Sequence, residues 1–316
     1  MSFMPSAGPR IAVTPPPVCQ HPTLRAEILQ AFPQAVFNTE NRYLSQAELI
    51  RLADGVEGLL GGREVIDDAV LDALPQLRIV SKYGVGLDNI DQEALSRRGV
   101  ALGWTGGVNR RSVAELTLAF MLSLCHNVFL AGEALKRGDW YKQGGVELRG
   151  KHIGVIGCGH IGSEVVRLLA PFECPVRVHD ILDKTEFCRQ TGAEPASFGQ
   201  VIETADILTL HVPLTESTRR MIDAEVLRRM KPTAFLINTS RGGVVDQAAL
   251  KQALKTGRLA GAALDVFAQE PPEDLEFLQL PNLMVTPHIG GNTREAVLAM
   301  GRAALDHLNR FFGVRV

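Results

Sequence analysis

Apolar residues in this chain fall in short runs, alternating with stretches of helical spacing. RIAVTPP begins with a short predicted strand. Apolar spacing predicts a helix from Leu24 to Phe32, stopped at Pro33, and another from Ala69 to Leu74, stopped at Pro75. LRIVSKYGVG is a β-branched run that ends in glycines. Such alternation predicts an α/β layer built on a parallel sheet. From Gly150 onward the rhythm is stronger. Strands are expected at HIGVI, PVRVHD, ADILTLHV, TAFLINTS, GAALDV and LMVTPH. Helical segments at Gly162 to Leu169, Thr218 to Arg229 and Gln247 to Thr256 separate them, a doubly wound βαβ pattern. Thr293 to Phe312 reads as one amphipathic helix.

Between these halves the pattern breaks. GWTGGVNRRS, residues 103–112, is glycine-rich and polar and reads as a linker or hinge. Ser112 and Glu115 then fit a capping box, with a long apolar helix to follow. Its most apolar part, LTLAFMLSLC, is bracketed by Glu115 and His126. That run is too short to cross a bilayer, so a buried helix and no membrane partner are expected.

Charge and cysteine usage narrow the setting. Lys plus Arg total 33 against 35 Asp plus Glu, so no basic excess points to nucleic acid. The 5 cysteines include no CxxC pair. A disulfide framework or zinc ribbon is therefore not expected, and a reducing compartment is. MSFMPSAGPR lacks a basic segment followed by an apolar core and does not read as a signal peptide. The expectation is a cytoplasmic protein without a metal.

GVIGCGHIG, residues 154–162, carries the first candidate chemistry. A GxGxxG run means little alone. Here a strand precedes it, a helix follows, and Asp180 ends the next strand about twenty residues on. Gly157 would permit a tight turn, Gly159 close approach of a pyrophosphate, and Gly162 close packing of helix on strand. His160, Ile161 and Gly162 would open the helix, whose N-terminus favours anions. The Asp180 carboxylate would accept the adenosine ribose hydroxyls and repel a 2′-phosphate. NAD is therefore expected over NADP.

Three later segments carry further candidates. LINTSRGGVVD ends a strand at a glycine pair, so Arg241 should project from the carboxyl edge of the sheet, where open α/β folds bind ligands. Its planar fork suits a carboxylate. GAALDVFAQEPP places Asp265 inside an otherwise apolar strand and Glu270 before two prolines. LMVTPHIGG places His288 at a strand end, where an imidazole can exchange protons near neutral pH. A carboxylate such as Glu270 on one ring nitrogen would leave the other facing substrate.

Together these motifs resemble the D-isomer-specific 2-hydroxyacid dehydrogenases over nearly the whole chain. GVIGCGHIG resembles that family's cofactor loop, LHVPLTESTR its second signature and MKPTAFLINTSRGGVVD its third. Arg241, Glu270 and His288 match its catalytic Arg, Glu and His, and SKYGVGLDNID resembles its substrate loop. The resemblance implies two doubly wound parallel-sheet domains. A discontinuous flavodoxin-like substrate domain, 1–104 with 289–316, would enclose an inserted Rossmann NAD-binding domain, 105–288. It also implies a homodimer through the 112–140 region.

By the same resemblance, Lys82, Tyr83, Gly84, Val85 and Gly86 would meet a small 2-oxo or 2-hydroxy acid together with Arg241. Val85, His211, Val212, Pro213, Asn238, Thr239, Ser240, Gly290 and Gly291 would line the cofactor, and Asp265 would hold its nicotinamide side. Within the family the expectation is a broad D-2-hydroxyacid dehydrogenase. 3-Phosphoglycerate dehydrogenase is the runner-up. Its phosphate-binding Arg would fall in GLLGGREV, where Leu60 stands and Arg63 is displaced. Phosphonate-type oxidation and an NAD-sensing corepressor stand further back.

Overall fold

A computed structural model describes residues 8–314. The N-terminal stretch examined for a signal peptide lies mostly outside them, as do the two last residues of the expected substrate domain. The chain forms two compact units. One comprises the chain up to Asn109 and again from Asn292, and the other is Arg110–Gly291. The units meet at Asn109/Arg110 and Gly291/Asn292, the first because the helix Arg110–Cys125 belongs wholly to the second unit.

The first unit is built on a 5-stranded parallel sheet. Its strands are β1 Ile11–Val13, β2 Val36–Phe37, β3 Gly58–Gly61, β4 Ile79–Lys82 and β5 Ala101–Gly103. The order β2-β1-β3-β4-β5 is the flavodoxin-like arrangement. Alternate side chains reach opposite faces. Ile11, Val13 and Ile79 pack with Leu24, Ile28 and Leu308, while Ala12 and Val80 pack with Leu49, Val70 and Leu95. Both faces are covered, which is why these strands read as unbroken apolar runs. The helix Arg294–Phe312 lies on this sheet, and the Thr293 side chain caps it by accepting from the Ala296 N–H.

The second unit is built on a 7-stranded parallel sheet. Its strands are β6 Ile153–Ile156, β7 Val176–His179, β8 Glu194–Pro195, β9 Ile207–Leu210, β10 Phe235–Asn238, β11 Gly261–Leu264 and β12 Leu283–Val285. The order β12-β11-β10-β9-β6-β7-β8 reverses between β6 and β9, the switch point at which such sheets bind ligands. One face is covered by the helices Phe198–Thr204, Ala224–Arg229 and Gln247–Lys255. The other is covered by Arg110–Cys125 and His160–Leu169. Among the described residues no single helix is long and apolar enough to cross a membrane.

Three expectations need correction here. The helix expected from Thr218 starts at Ala224. Arg220 sits at φ 51°, and the extended Asp223 caps the helix by accepting from the Val226 N–H, so residues 216–220 form turns and Ile222 makes an isolated bridge with Val245 instead. Ser112 is no N-cap either. The apolar helix already begins at Arg110, the Ser112 hydroxyl donates to the Gly290 carbonyl, and the Glu115 carboxylate pairs with Arg111. Lastly, β11 ends at Leu264, which leaves Asp265 just outside the strand with its N–H donating to the Asn238 carbonyl at 3.0 Å.

Candidate active site

The glycine loop fits a dinucleotide for three separable reasons. Gly157 lies at φ 88°, and a Cβ there would come 2.7 Å from the His211 carbonyl oxygen. A Cβ at Gly162 would come 2.0 Å from the Gly157 carbonyl oxygen, so the helix packs this closely on the turn only because Gly162 lacks a side chain. At Gly159 nothing lies within 4 Å, which leaves open space where a pyrophosphate would approach. Gly159 is also the N-cap of the helix His160–Leu169. The first N–H groups of a helix have no partner within it, and there they face an exposed loop.

Asp180 follows the end of β7 beside this loop. One carboxylate oxygen accepts from the Cys158 N–H at 2.6 Å and the other from the Leu182 N–H at 2.8 Å. Each oxygen keeps a lone pair for a ribose hydroxyl. The acid thus also ties the turn between β6 and its helix to the neighbouring strand. His211, after β9, shares a hydrogen bond between its Nε2 and the Thr209 hydroxyl at 3.0 Å. Burial pushes its pKa down to about 3, so this ring is neutral, and its backbone, with the Val212 side chain, forms the wall beside Gly157.

The three catalytic candidates come from neighbouring strands. Asn238 of β10 is level with Leu264 of β11, and Leu264 with Val285 of β12. Arg241, Asp265 and His288 therefore all leave the sheet at one edge. The loop after β10 is shaped by Asn238, which accepts from the Ser240 N–H and hydroxyl and donates to the Arg241 carbonyl at 2.9 Å. One Arg241 nitrogen donates to the Ser240 carbonyl at 2.7 Å. Thr239 is buried and bonds the Thr117 hydroxyl at 2.9 Å. A Cβ at Gly242 would strike the Phe267 backbone at 1.9 Å, so the Arg241 loop lies directly on the segment that leads to Glu270.

Glu270 and His288 are in contact. His288 Nδ1 lies 2.8 Å from Glu270 Oε2 and 3.1 Å from Oε1. The Phe267 N–H also donates to Oε1, at 3.1 Å. The carboxylate fixes the ring's orientation through Nδ1 and stabilises the ring when it carries charge. His288 itself sits at φ 55°, a backbone conformation uncommon for any residue with a side chain.

That backbone corner is held by Asp265, which is 1% exposed. Its carboxylate accepts from the Ile289 and Gly290 N–H groups, each at 2.8 Å, and from the Thr286 hydroxyl at 2.5 Å. Burial raises its pKa, opposed by these bonds and by the charge of His288. Asp265 thus ties down the loop that carries His288 with three accepted bonds. Thr286 and Phe267 are participants that residue type alone did not single out. The signal for Thr286 was its place in TPH, directly before the histidine.

In the other unit, the expected substrate loop follows β4. Lys82 is buried, with Nζ donating to Asn89 Oδ1 at 2.7 Å and to the Gly62 carbonyl. Tyr83 turns its ring into the core beside Ile79, and burial raises its pKa. Only its backbone is available to a ligand. Gly84 lies at φ 101°, and Val85 and Gly86 are half-buried.

The profile described as D-isomer specific 2-hydroxyacid dehydrogenase, NAD binding domain, matches residues 118–290. The chain belongs to the D-isomer-specific 2-hydroxyacid dehydrogenase family. Among family members, a glyoxylate reductase of Korarchaeum cryptofilum is 38% identical over 84% of this chain and 81% of its own length. A D-3-phosphoglycerate dehydrogenase of Methanocaldococcus jannaschii is 38% identical over 84% of this chain. The match spans only 52% of that relative, about half its length. A solved structure from Polaromonas sp. JS6 66, a putative D-isomer specific 2-hydroxyacid dehydrogenase, superposes with a TM-score of 0.87 at 26% identity, covering 98% of each chain.

Proposed function

We propose that this chain is an NAD-dependent D-2-hydroxyacid dehydrogenase that interconverts small 2-oxo acids and their 2-hydroxy acids. The observation that carries this reading is the His288–Glu270 pair, 2.8 Å apart at the carboxyl edge that also bears Arg241. Gly157, Gly159 and Asp180 would hold the dinucleotide, which would supply the hydride exchanged with C2 of the acid. Arg241 offers its fork to the substrate carboxylate, and the Gly84–Gly86 turn offers backbone N–H groups. His288, protonated on Nε2, gives its proton to the carbonyl oxygen as that oxygen gains charge. Glu270 stays ionised and supports the charged ring before transfer. In oxidation the neutral ring takes the hydroxyl proton.

The preference for an unphosphorylated substrate rests on β3. Leu60 is fully buried there, so that position presents no cation to a phosphate. NAD is preferred over NADP because the Asp180 carboxylate would repel a 2′-phosphate. The test is NADH oxidation against glyoxylate, hydroxypyruvate, pyruvate, phenylpyruvate, 2-oxoisocaproate and 3-phosphohydroxypyruvate. Steady turnover is expected on one or more unphosphorylated acids, with kcat/KM above that for the phosphorylated one. Turnover confined to 3-phosphohydroxypyruvate would instead assign a phosphoglycerate dehydrogenase, and no turnover on any would remove the enzymatic reading.

A second copy of this chain is the proposed partner, and the cytoplasm the proposed setting, in keeping with five free cysteines. The helix Val128–Lys136 and the segment after it expose Val128 at 58%, Leu135 at 56% and Trp140 at 77%. Apolar side chains gathered in one such stretch favour an interface. Sedimentation should give twice the 34.4 kDa chain mass, and the double variant V128E/L135E should sediment as a monomer. A wild-type monomer at micromolar concentration would refute the dimer.

A further inference from the structure

We infer that Trp104 is a positioning residue for the substrate-carboxylate loop, acting through the Val85 carbonyl. Trp104 follows β5, and its indole Nε1 donates to the Val85 carbonyl oxygen at 3.1 Å. The indole is 40% exposed, so water could have satisfied its N–H. Burial does not force this bond, and its effect falls on the loop. A peptide plane directs its C=O and the next N–H oppositely. With the Val85 carbonyl held by Trp104, the Gly86 N–H points away from the indole. Among the described residues the backbone N–H groups of Gly84, Val85 and Gly86 have no acceptor. The left-handed φ of 101° at Gly84 gives the turn a shape only glycine adopts without strain. Successive free N–H groups in such a turn form a concavity for an anion.

Trp104 is itself anchored on both sides by one residue of the C-terminal helix. Thr105 Oγ1 lies 2.8 Å from His307 Nε2. Gly103 packs so closely that a Cβ there would meet the His307 Cβ at 2.5 Å. The relay runs from His307 to Trp104 to Val85, and it ends on the N–H groups offered to the substrate.

This inference rests on the dehydrogenase reading above. Its test is W104F, which keeps an aromatic ring and removes the donor. KM for the best 2-oxo acid should rise roughly five- to tenfold, the equivalent of one hydrogen bond. The kcat should stay within about twofold, and the Kd for NADH should not change. A general packing defect would instead lower the melting temperature and shift kcat and NADH affinity together, which overturns the proposal. So does an unaltered KM. A second measurement uses W140F, in which Trp104 is the sole tryptophan. Oxamate, a carboxylate mimic of a 2-oxo acid, should change its emission saturably in the presence of NADH, and unchanged emission at saturating oxamate counts against the loop. A wild-type enzyme active on 2-oxo acids with an indifferent W104F defeats only this inference. Wild-type inactivity on every 2-oxo acid defeats the parent reading, and this inference with it.

Discussion

Replacing His288 with asparagine is expected to lower kcat by about 10²–10⁴-fold, the range lost with a general acid–base group. That corresponds to roughly 3–5.5 kcal/mol of barrier at 1.36 kcal/mol per decade. Asparagine is chosen because position 288 lies at φ 55°, where it is among the side-chain-bearing residues best tolerated. Its amide can still donate to Glu270, so the corner should keep its shape. The variant loses only the group that exchanges a proton. NADH affinity, by fluorescence titration, should stay within about twofold. A variant turning over within threefold of the parent enzyme would refute the role of His288. Glu270→Gln offers the companion measurement. It keeps a hydrogen-bond acceptor near Nδ1 but removes the charge, so kcat should fall by less than in H288N and the pH profile should move.

Gly242→Ala is expected to damage the site from a position with no chemistry of its own. The added Cβ would lie 1.9 Å from the Phe267 carbonyl carbon and 2.4 Å from the Ala268 nitrogen. Those atoms are backbone and cannot step aside by rotating a side chain. The loop bearing Arg241 and the segment leading to Glu270 must separate. Overpacking of this kind typically costs about 1–3 kcal/mol, read as a lowered denaturant midpoint. The kcat/KM should fall by about a hundredfold or more, since a misplacement of about 1 Å can have that effect. Gly243→Ala is the control next door. Its Cβ would meet only the ends of the Leu214 side chain at 3.0 and 3.1 Å, so it should retain most stability and activity. Equal behaviour of the two variants would sink the argument.

The sequence revealed the second unit far better than the first. Strands β6 to β12, apart from the two-residue β8, announce themselves by apolar runs ending in glycine or a polar residue. In the first unit, the helix Gln46–Leu52 buries only Leu49 fully and so lacks a periodic stripe. Strand β3 is GLLG, too short and glycine-rich to read as a strand. The short helices Gln92–Arg97 and Phe198–Thr204 are held by caps at Asp91 and Ser197 and by packing, more than by any long apolar face.

The site was legible at the level of residue types and less so at the level of partners. Arg241 stood out beside a glycine pair at a strand end, Glu270 before two prolines, and His288 after Pro287 at a strand end. What Asp265 holds could not be read, because its donors are backbone N–H groups twenty-odd residues away. Tyr83 illustrates the opposite difficulty. It stands within the expected substrate loop, yet strand alternation at Lys82 and Tyr83 sends its ring into the core.

The clasp that Asp265 makes on the Ile289 and Gly290 N–H groups is completed within the protein's own fold. The imidazole is therefore aimed before any reactant arrives. The entropy of ordering that corner is lost when the chain folds, and none of it is subtracted from substrate affinity. The shape of the His288 corner is a property of the resting molecule.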